Sequence, residues 1–346
     1  MLMQTAPDHV VLNTVVFDDL RLAYVPVPKA ASTSILGALF ELAGGGLDGR
    51  MRSRKPEATR DQTVHDGSLW DPRHRLKERT ATERDWILES DEWFRFTVVR
   101  EPARRIWSAW VSKVLVRDPR FVLMFGEDWF PAVPSSASDV VTSFRAFVTG
   151  LPDQPDWDDS HWSAQGELAG ISKIEYDHVG RLESLDQTEA VLGHYIEQRG
   201  GRFPALGTEN RSLLPFSPGL FDRPTQDACL RLTADDRRAL GYEPVQDADG
   251  EPDERWLLTV EASIPALRAL IERHERLLDL WRIQADTDLE SHWQRDVAVV
   301  SGLAAVASAA TLLAARQGNG HNGSGRARHR RLGTGSLRAL LATFLG

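Results

Sequence analysis

Apolar residues along this chain fall into two alternating patterns. Short β-rich runs are followed by stretches whose apolar residues return every three or four positions. Leu20 to Val27 is the first such run and reads as a strand ending in prolines. Ser32 to Leu42 then reads as a helix. Ser32 or Thr33 can cap it, Ile35, Leu36, Leu39 and Leu42 form one stripe, and Gly44 to Gly46 stop it. Trp93 to Val99 is a second strand. Pro102 suits the first turn of the helix after it. In that helix Ala103, Ile106, Trp110 and Val114 share one face, and Glu101, Arg105, Ser108 and Ser112 share the opposite one. Ser108 is thereby expected on the exposed face, on the side of the helix start. Ser138 to Val148 reads as a helix, Lys173 to Leu182 as a third strand, Leu185 to Arg199 as a helix, and Thr233 to Leu240 as a short helix ended by Gly241. Residues 50–84 read as a loop region with short helical pieces, and 151–166 and 201–227 as loops. The alternation through residues 10–245 predicts an α/β domain with a parallel sheet, and the chain has no internal repeat.

The pattern changes after Gly250. Leu257, Val260, Ile264, Leu267, Ile271, Leu278 and Trp281 recur at three- and four-residue steps, which predicts a long amphipathic helix over Trp256 to Ile283. Pro265 is expected to kink it or to begin its main part. Its apolar face is expected to pack on the preceding domain, with a homodimer contact as the alternative. Val297 to Ala315 is an uncharged run whose length makes it a candidate membrane span. Its many small residues make insertion marginal, and a membrane-surface or packed helix is the preferred reading. Gln317 to Gly325 reads as a linker. The expected division is 1–250, 251–295 and 296–346.

Composition narrows the function. A chain of 346 residues, 42% of them hydrophobic, can bury a large core. A net charge of −9 argues against general nucleic-acid binding. Cys229, the single cysteine, excludes an internal disulfide and a cysteine-rich metal site, and no metal-ligand spacing occurs elsewhere. Met1 to Leu12 has no basic region followed by an apolar run, so a cytoplasmic location is expected, with 297–315 as the route to any membrane association.

The chemistry concentrates at two strand-to-helix junctions. In the first, Pro28-Lys29-Ala30-Ala31-Ser32-Thr33-Ser34 enters a helix. A helix N-terminus presents unpaired N–H groups and partial positive charge. Lys29 adds a cation, Ser32, Thr33 and Ser34 add hydroxyls, and small Ala30 and Ala31 let the backbone approach an anion. The glycines of a Walker A motif are missing. The plain alternative is an ordinary turn with a capping serine and a surface lysine. In the second junction Arg100 follows Phe96-Thr97-Val98-Val99, where a guanidinium can fork onto a phosphate. Its plain alternative is a surface arginine paired with Glu101 or Asp118.

Together the two junctions resemble the cofactor motifs of the Golgi-type carbohydrate sulfotransferases. The Lys29 loop resembles that family's 5′-phosphosulfate-binding loop, and Arg100 with Ser108 resembles its 3′-phosphate motif. His161-Trp162-Ser163-Ala164-Gln165 resembles a recurring His-Trp-x-x-Gln segment. His178 to Glu183 resembles the family's third strand and turn, and Asp235 to Tyr242 its closing helix and Gly-Tyr. The likeness covers about residues 15–245 and leaves the tail after 250 unaccounted for. Golgi members carry an N-terminal membrane anchor and usually several cysteines; with one cysteine and no anchor expected from Met1 to Leu12, this chain is expected to be a soluble bacterial-type relative.

The resemblance implies a P-loop-like parallel sheet flanked by helices, with a helical C-terminal extension. It implies 3′-phosphoadenosine 5′-phosphosulfate (PAPS) as donor, no metal, and a hydroxyl acceptor such as a carbohydrate, glycolipid or other alcohol. Lys29 would stabilise the departing oxygen, Ala30, Ala31, Ser32, Thr33 and Ser34 would hold the 5′ end, and Arg100 and Ser108 the 3′-phosphate. A histidine is the usual base. Among His65, His74 and His161, the resemblance favours His65, which lies between the two motifs, while His161 would shape the acceptor site. Arg181 and Glu183 read as a structural ion pair. The alternatives are an NTP-dependent kinase and a non-catalytic nucleotide-binding or scaffold protein.

Overall fold

A computed structural model of the chain describes the backbone of residues 6–44, 64–153, 159–207, 212–244 and 251–315, and side chains as far as residue 284. In chain order the elements are α1 (Asp8–Asn13), β1 (Val15–Phe17), β2 (Leu22–Val25), α2 (Ser32–Leu42), α3 (Ala81–Glu89), β3 (Phe94–Val99), α4 (Pro102–Ala109), α5 (Pro119–Phe125), α6 (Ala137–Gly150), α7 (Gln165–Leu168), β4 (His178–Arg181), α8 (Leu185–Glu197), α9 (Arg223–Leu232), α10 (Ala234–Leu240) and α11 (Glu254–Ala315). The chain divides into two units, Met1–Leu280 and Trp281–Gly346.

The sheet has the order β1-β2-β3-β4. β2, β3 and β4 run parallel, and β1 pairs antiparallel with β2. Val25 lies opposite Thr97, so β2 and β3 end at the same edge of the sheet. The two motif-bearing junctions therefore leave from one edge, the carboxyl end of parallel strands, where α/β sheets bind ligands.

Both sheet faces are covered, which is why β2 is buried at every position. Leu22 and Tyr24 pack toward Ile35, Leu39, Leu192 and Ile196 of α2 and α8. Ala23 and Val25 point the other way, toward Ile87, Leu88 and Trp93. A larger helical core joins α4, α6, α9 and the first part of α11 through Trp107, Trp110, Phe144 and Trp256. The expected amphipathic stripe of α11 is buried there at Val260, Ile264, Leu267, Ile271 and Leu278.

Several elements depart from the sequence pattern. β1 was not expected; its three residues are too few to show a period. The third strand is four residues, not ten, because Ile174 turns back into the core and its N–H bonds Gly170 O. α9 begins inside the expected loop 201–227 and runs on to Leu232, with Asp222 capping it at Thr225 and a proline in its first turn. α11 starts at Glu254, and Pro265 lies inside it without ending it. Among the described residues no helix is long and apolar enough to cross a membrane.

Candidate active site

The first junction is built on unusual backbone. Lys29 and Ala31 have φ of 68° and 60°, left-handed values that cost a non-glycine residue about 1 kcal/mol each. Ala31 is the N-cap residue of α2, and no side chain caps that helix. The expected capping by Ser32 or Thr33 does not occur: Ser32 is already helical and buried. The first-turn amides of Ser32, Thr33 and Ser34 thus keep their directed partial charge for a ligand. Ala30 is buried against Val27 and Ala169, so the loop rests on packed side chains.

Two cations meet at this loop. Lys29 Nζ donates to Ser112 Oγ at 2.8 Å, and Ser112 Oγ in turn donates to Ala109 O at 3.3 Å. Ser112 sits on a π-helical turn, Trp110–Leu115, that continues α4. Burial, reinforced by the charges of Lys113 and Arg100, brings the Lys29 ammonium down to about 7. Arg100 extends back from the end of β3, and its guanidinium donates to Lys29 O at 3.3 Å. Burial also lowers the Arg100 pKa. Neither carboxylate expected for a plain surface arginine is engaged with it. Glu101 pairs with Arg237 at 3.3 Å, and Asp118 with Lys113 at 2.7 Å.

The backbone of Arg100 is itself clamped. Its N–H donates to Gln165 Oε1 and its carbonyl accepts from Gln165 Nε2, both at 2.8 Å. Gln165 is wholly buried and is held by Asp236 Oδ2 at 3.2 Å. The guanidinium of Arg105 is also buried, and it donates to Pro28 O, Ser163 O and Ser160 O at 2.9, 2.7 and 2.6 Å.

Two histidines border the cations. His65 Nε2 lies 3.0 Å from Thr33 Oγ1. His65 keeps an exposed edge, and partial desolvation with the surrounding charges of Lys113, His161 and Lys29 lowers its pKa, so the ring is neutral at pH 7. His161 Nδ1 bonds Asp159 Oδ1 at 2.6 Å, and its ring meets Phe121 edge-on at 5.2 Å. Burial lowers the His161 pKa in spite of Asp159. The site therefore combines uncapped helix amides, several cations and neutral imidazoles in a chain of net charge −9. That combination suits a polyanion and a proton acceptor beside it. A shallow groove lined by Thr33, Ser34, Gly37, Ala38, Glu41, Ala205 and Gly207 continues from the loop along α2.

The sulfotransferase family profile matches residues 12–196, more than half of the chain. The chain belongs to the sulfotransferase family. It is similar to carbohydrate sulfotransferase 10 of Danio rerio, with 29% identity over 188 residues, 49% of this chain and 48% of that one. Carbohydrate sulfotransferase 12 of Mus musculus is 26% identical over 205 residues, 54% of this chain and 49% of that one. Carbohydrate sulfotransferase 8 of Homo sapiens is 29% identical over 189 residues, 52% of this chain and 41% of that one. The chain thus spans about half the length of the curated relatives it matches or less. No solved structure matches it significantly. The cytoplasmic location expected from the N-terminus is overturned by these relatives: they are carbohydrate sulfotransferases of the Golgi type, which is not a cytoplasmic group.

Within this member of the sulfotransferase family the structure brings together Lys29, Ala30, Ala31, Ser32, Thr33, Ser34, His65 and Arg100. Ser108 departs from its expected place. It is 9% exposed, and makes no side-chain hydrogen bond among the described residues. The helix face that it shares with Arg105 and Ser112 is turned to the Pro28–Lys29 loop, not to solvent. His74 drops out as a base, because it is buried beside Phe17 and bonds Val16 O at 2.8 Å. Arg181 and Glu183 do not form the expected ion pair. Arg181 donates to Leu240 O and stacks on Tyr242, while Glu183 accepts from Glu101 N–H and Tyr242 Oη. Sequence reasoning gave no role to Ser112 or Arg105. Their spacing with Ser108 on one face was the available signal. Among the described residues no acidic, histidine or cysteine group could hold a metal ion.

Proposed function

We propose that this protein transfers a sulfo group from PAPS to a hydroxyl of a carbohydrate acceptor. The observation that carries the reading is the contact between the two junctions: the Arg100 guanidinium reaches the carbonyl of Lys29, so one extended polyanion can touch both cations. The chain's residues fit such a donor. The uncapped amides of α2 with Lys29 suit a 5′-phosphosulfate, and Arg100, which lacks a carboxylate partner among the described residues, suits a 3′-phosphate. The shallow groove that starts at Thr33 and Ser34 and follows α2 offers a surface beside the loop for the nucleoside. The relatives named carbohydrate sulfotransferases support a sugar hydroxyl as acceptor.

PAPS supplies the activated sulfo group on a phosphate leaving group. The residues of the chain hold and polarise. Lys29 places positive charge where the leaving oxygen gains negative charge, and it can move there from Ser112. The amides of Ser32, Thr33 and Ser34 orient the 5′ end. His65 is the base. In the tautomer that donates Nε2–H to Thr33, its lone pair is on Nδ1, free to take the acceptor proton. His161, with its Nδ1 held by Asp159, borders the acceptor side.

A thermal-shift comparison tests the reading. 3′-Phosphoadenosine 5′-phosphate should raise the melting temperature and ATP should not. Equal stabilisation by ATP would favour a kinase, and no shift with any nucleotide a scaffold.

A further inference from the structure

The guanidinium of Arg105 is buried, and among the described residues its hydrogen bonds all go to main-chain carbonyls of distant segments. Arg105 is 2% exposed. Nε donates to Pro28 O, the residue before Lys29, while the two terminal nitrogens donate to Ser163 O and Ser160 O. The latter two flank His161. These acceptors lie 77, 58 and 55 residues away in sequence, so the bonds join segments that the chain itself does not hold together. Among the described residues no carboxylate pairs with it; Asp236 and Asp159 act only through their field. A buried cation satisfied by carbonyls alone is a costly way to fill space, and an apolar side chain would pack there without desolvation. A planar fork of donors is what the position uses.

We infer that Arg105 is a positioning residue that locks the Lys29 loop and the His161 turn into one fixed relation. The assignment of donor and acceptor sides rests on the sulfotransferase reading; the mechanical tie does not. Holding Pro28 O fixes the strained approach to Lys29, and holding Ser160 and Ser163 fixes the turn that presents His161 and begins the path to Gln165. Gln165 holds the backbone of Arg100 from the same segment. Residues 160–165 therefore brace both cofactor junctions, and Arg105 is their link to the Lys29 side.

The test uses Arg105→Lys, which keeps the charge and loses the fork, and Arg105→Gly. Amide hydrogen exchange is measured on the full chain without ligand. In Arg105→Lys the hydrogen-bonded amides of Ala30 and Ile35 in the first segment, and of His161, Trp162 and Ser163 in the second, should exchange about tenfold or more faster, with the β2 and β3 amides unchanged. Acceleration of neither segment, of one alone, or of the sheet equally would overturn the inference. Turnover separates positioning from bulk stability. kcat should fall about a hundredfold while KM for PAPS changes by less than about threefold. Added guanidinium should restore part of the Arg105→Gly rate where sodium chloride of equal ionic strength does not. A loss of rate matched by a loss of melting temperature, with no rescue, would mark Arg105 as filler. If the wild-type chain binds no 3′-phosphoadenosine 5′-phosphate, the sulfotransferase reading fails, and the exchange result still decides the role of Arg105.

Discussion

Lys29 gives the most demanding prediction, because its protonation is linked to ligand binding. Burial and the neighbouring Lys113 and Arg100 hold the free ammonium near 7, against an ordinary 10.5. A bound 5′-phosphate or phosphosulfate favours the charged form and returns the group toward its ordinary range. The sign follows. The form that binds is protonated, so affinity is complete below pH 7 and is lost as pH rises through 7. At pH 8 about one free molecule in eleven carries the charge, and at pH 9 about one in a hundred. The affinity for 3′-phosphoadenosine 5′-phosphate should therefore fall about fivefold from pH 7 to 8 and about ninefold from pH 8 to 9, nearing about 1.4 kcal/mol per unit, while proton uptake per ligand rises from about a half to close to one.

Titration calorimetry between pH 7 and 9, in two buffers of different ionisation enthalpy, reads both quantities. That range avoids the protonation of the ligand's own phosphates near 6. It also lies above the lowered His65 and His161 pKa values, so the imidazoles add no slope. Lys29→Arg stays charged throughout and should bind with neither slope nor proton uptake. An affinity that is flat from pH 7 to 9 in the wild type would refute the argument. So would a slope that survives in Lys29→Arg, since another group would then carry the proton.

Three other substitutions probe separate parts of the site. A Cβ at Gly37 would meet nothing within 4 Å, so Gly37→Leu should fill the groove along α2. It should raise stability by up to about 1 kcal/mol, as a mid-helix glycine is replaced, while nucleotide affinity drops; unchanged affinity would move the nucleoside elsewhere. Arg100→Gln should abolish the preference for 3′-phosphoadenosine 5′-phosphate over adenosine 5′-phosphate, a difference of about 1.5–3 kcal/mol for a hydrogen bond to a charged group. Equal loss for both nucleotides in competition binding would mean that Arg100 does not read the 3′ end. His65→Asn should lower kcat by about 10²–10⁴ with nucleotide binding retained. The wild-type acid limb of kcat/KM should then lie below the ordinary 6.5, because His65 must be neutral to accept a proton; a limb at 6.5 or above would point to a different base.

The strand–loop–helix frame was legible because side-chain types mark it: β-formers, then prolines, a cation, small residues and hydroxyls. The conformation of the loop was not. Its left-handed residues are Lys29 and Ala31, where a sequence reader expects glycine. Strain of this kind is imposed by contacts from afar, including those of Arg105 and Arg100 with Pro28 and Lys29. Ser108 shows a second limit. Periodicity correctly separated its face from that of Ile106 and Trp110, but a face without apolar residues is not necessarily a solvent face. Here it meets the carbonyls and the lysine of the loop. The same periodicity places Ser112 on that face; that it accepts from Lys29 Nζ there, from a π-helical turn, is a partnership no spacing names.

The two ends of the site are also coupled electrostatically. Arg100 is among the charges that depress Lys29, and its guanidinium lies against the Lys29 carbonyl. An anion that neutralises Arg100 removes part of that depression, even when it never touches Lys29. Adenosine 3′-phosphate offers this case, with a 3′ anion and no 5′ anion. If it raises the Lys29 pKa by about one unit, protonation of Lys29 at pH 7.5 rises from about a quarter to about three-quarters. Binding should then take up about half a proton, although the ligand itself has no proton to accept at that pH. Lys29→Arg should bind adenosine 3′-phosphate with no uptake. Zero uptake in the wild type would mean that Arg100 and Lys29 respond independently. Measured uptake would mean that occupancy of the 3′ end charges Lys29 before the 5′ end is engaged, so that a ligand with both anions gains more than the sum of its two halves.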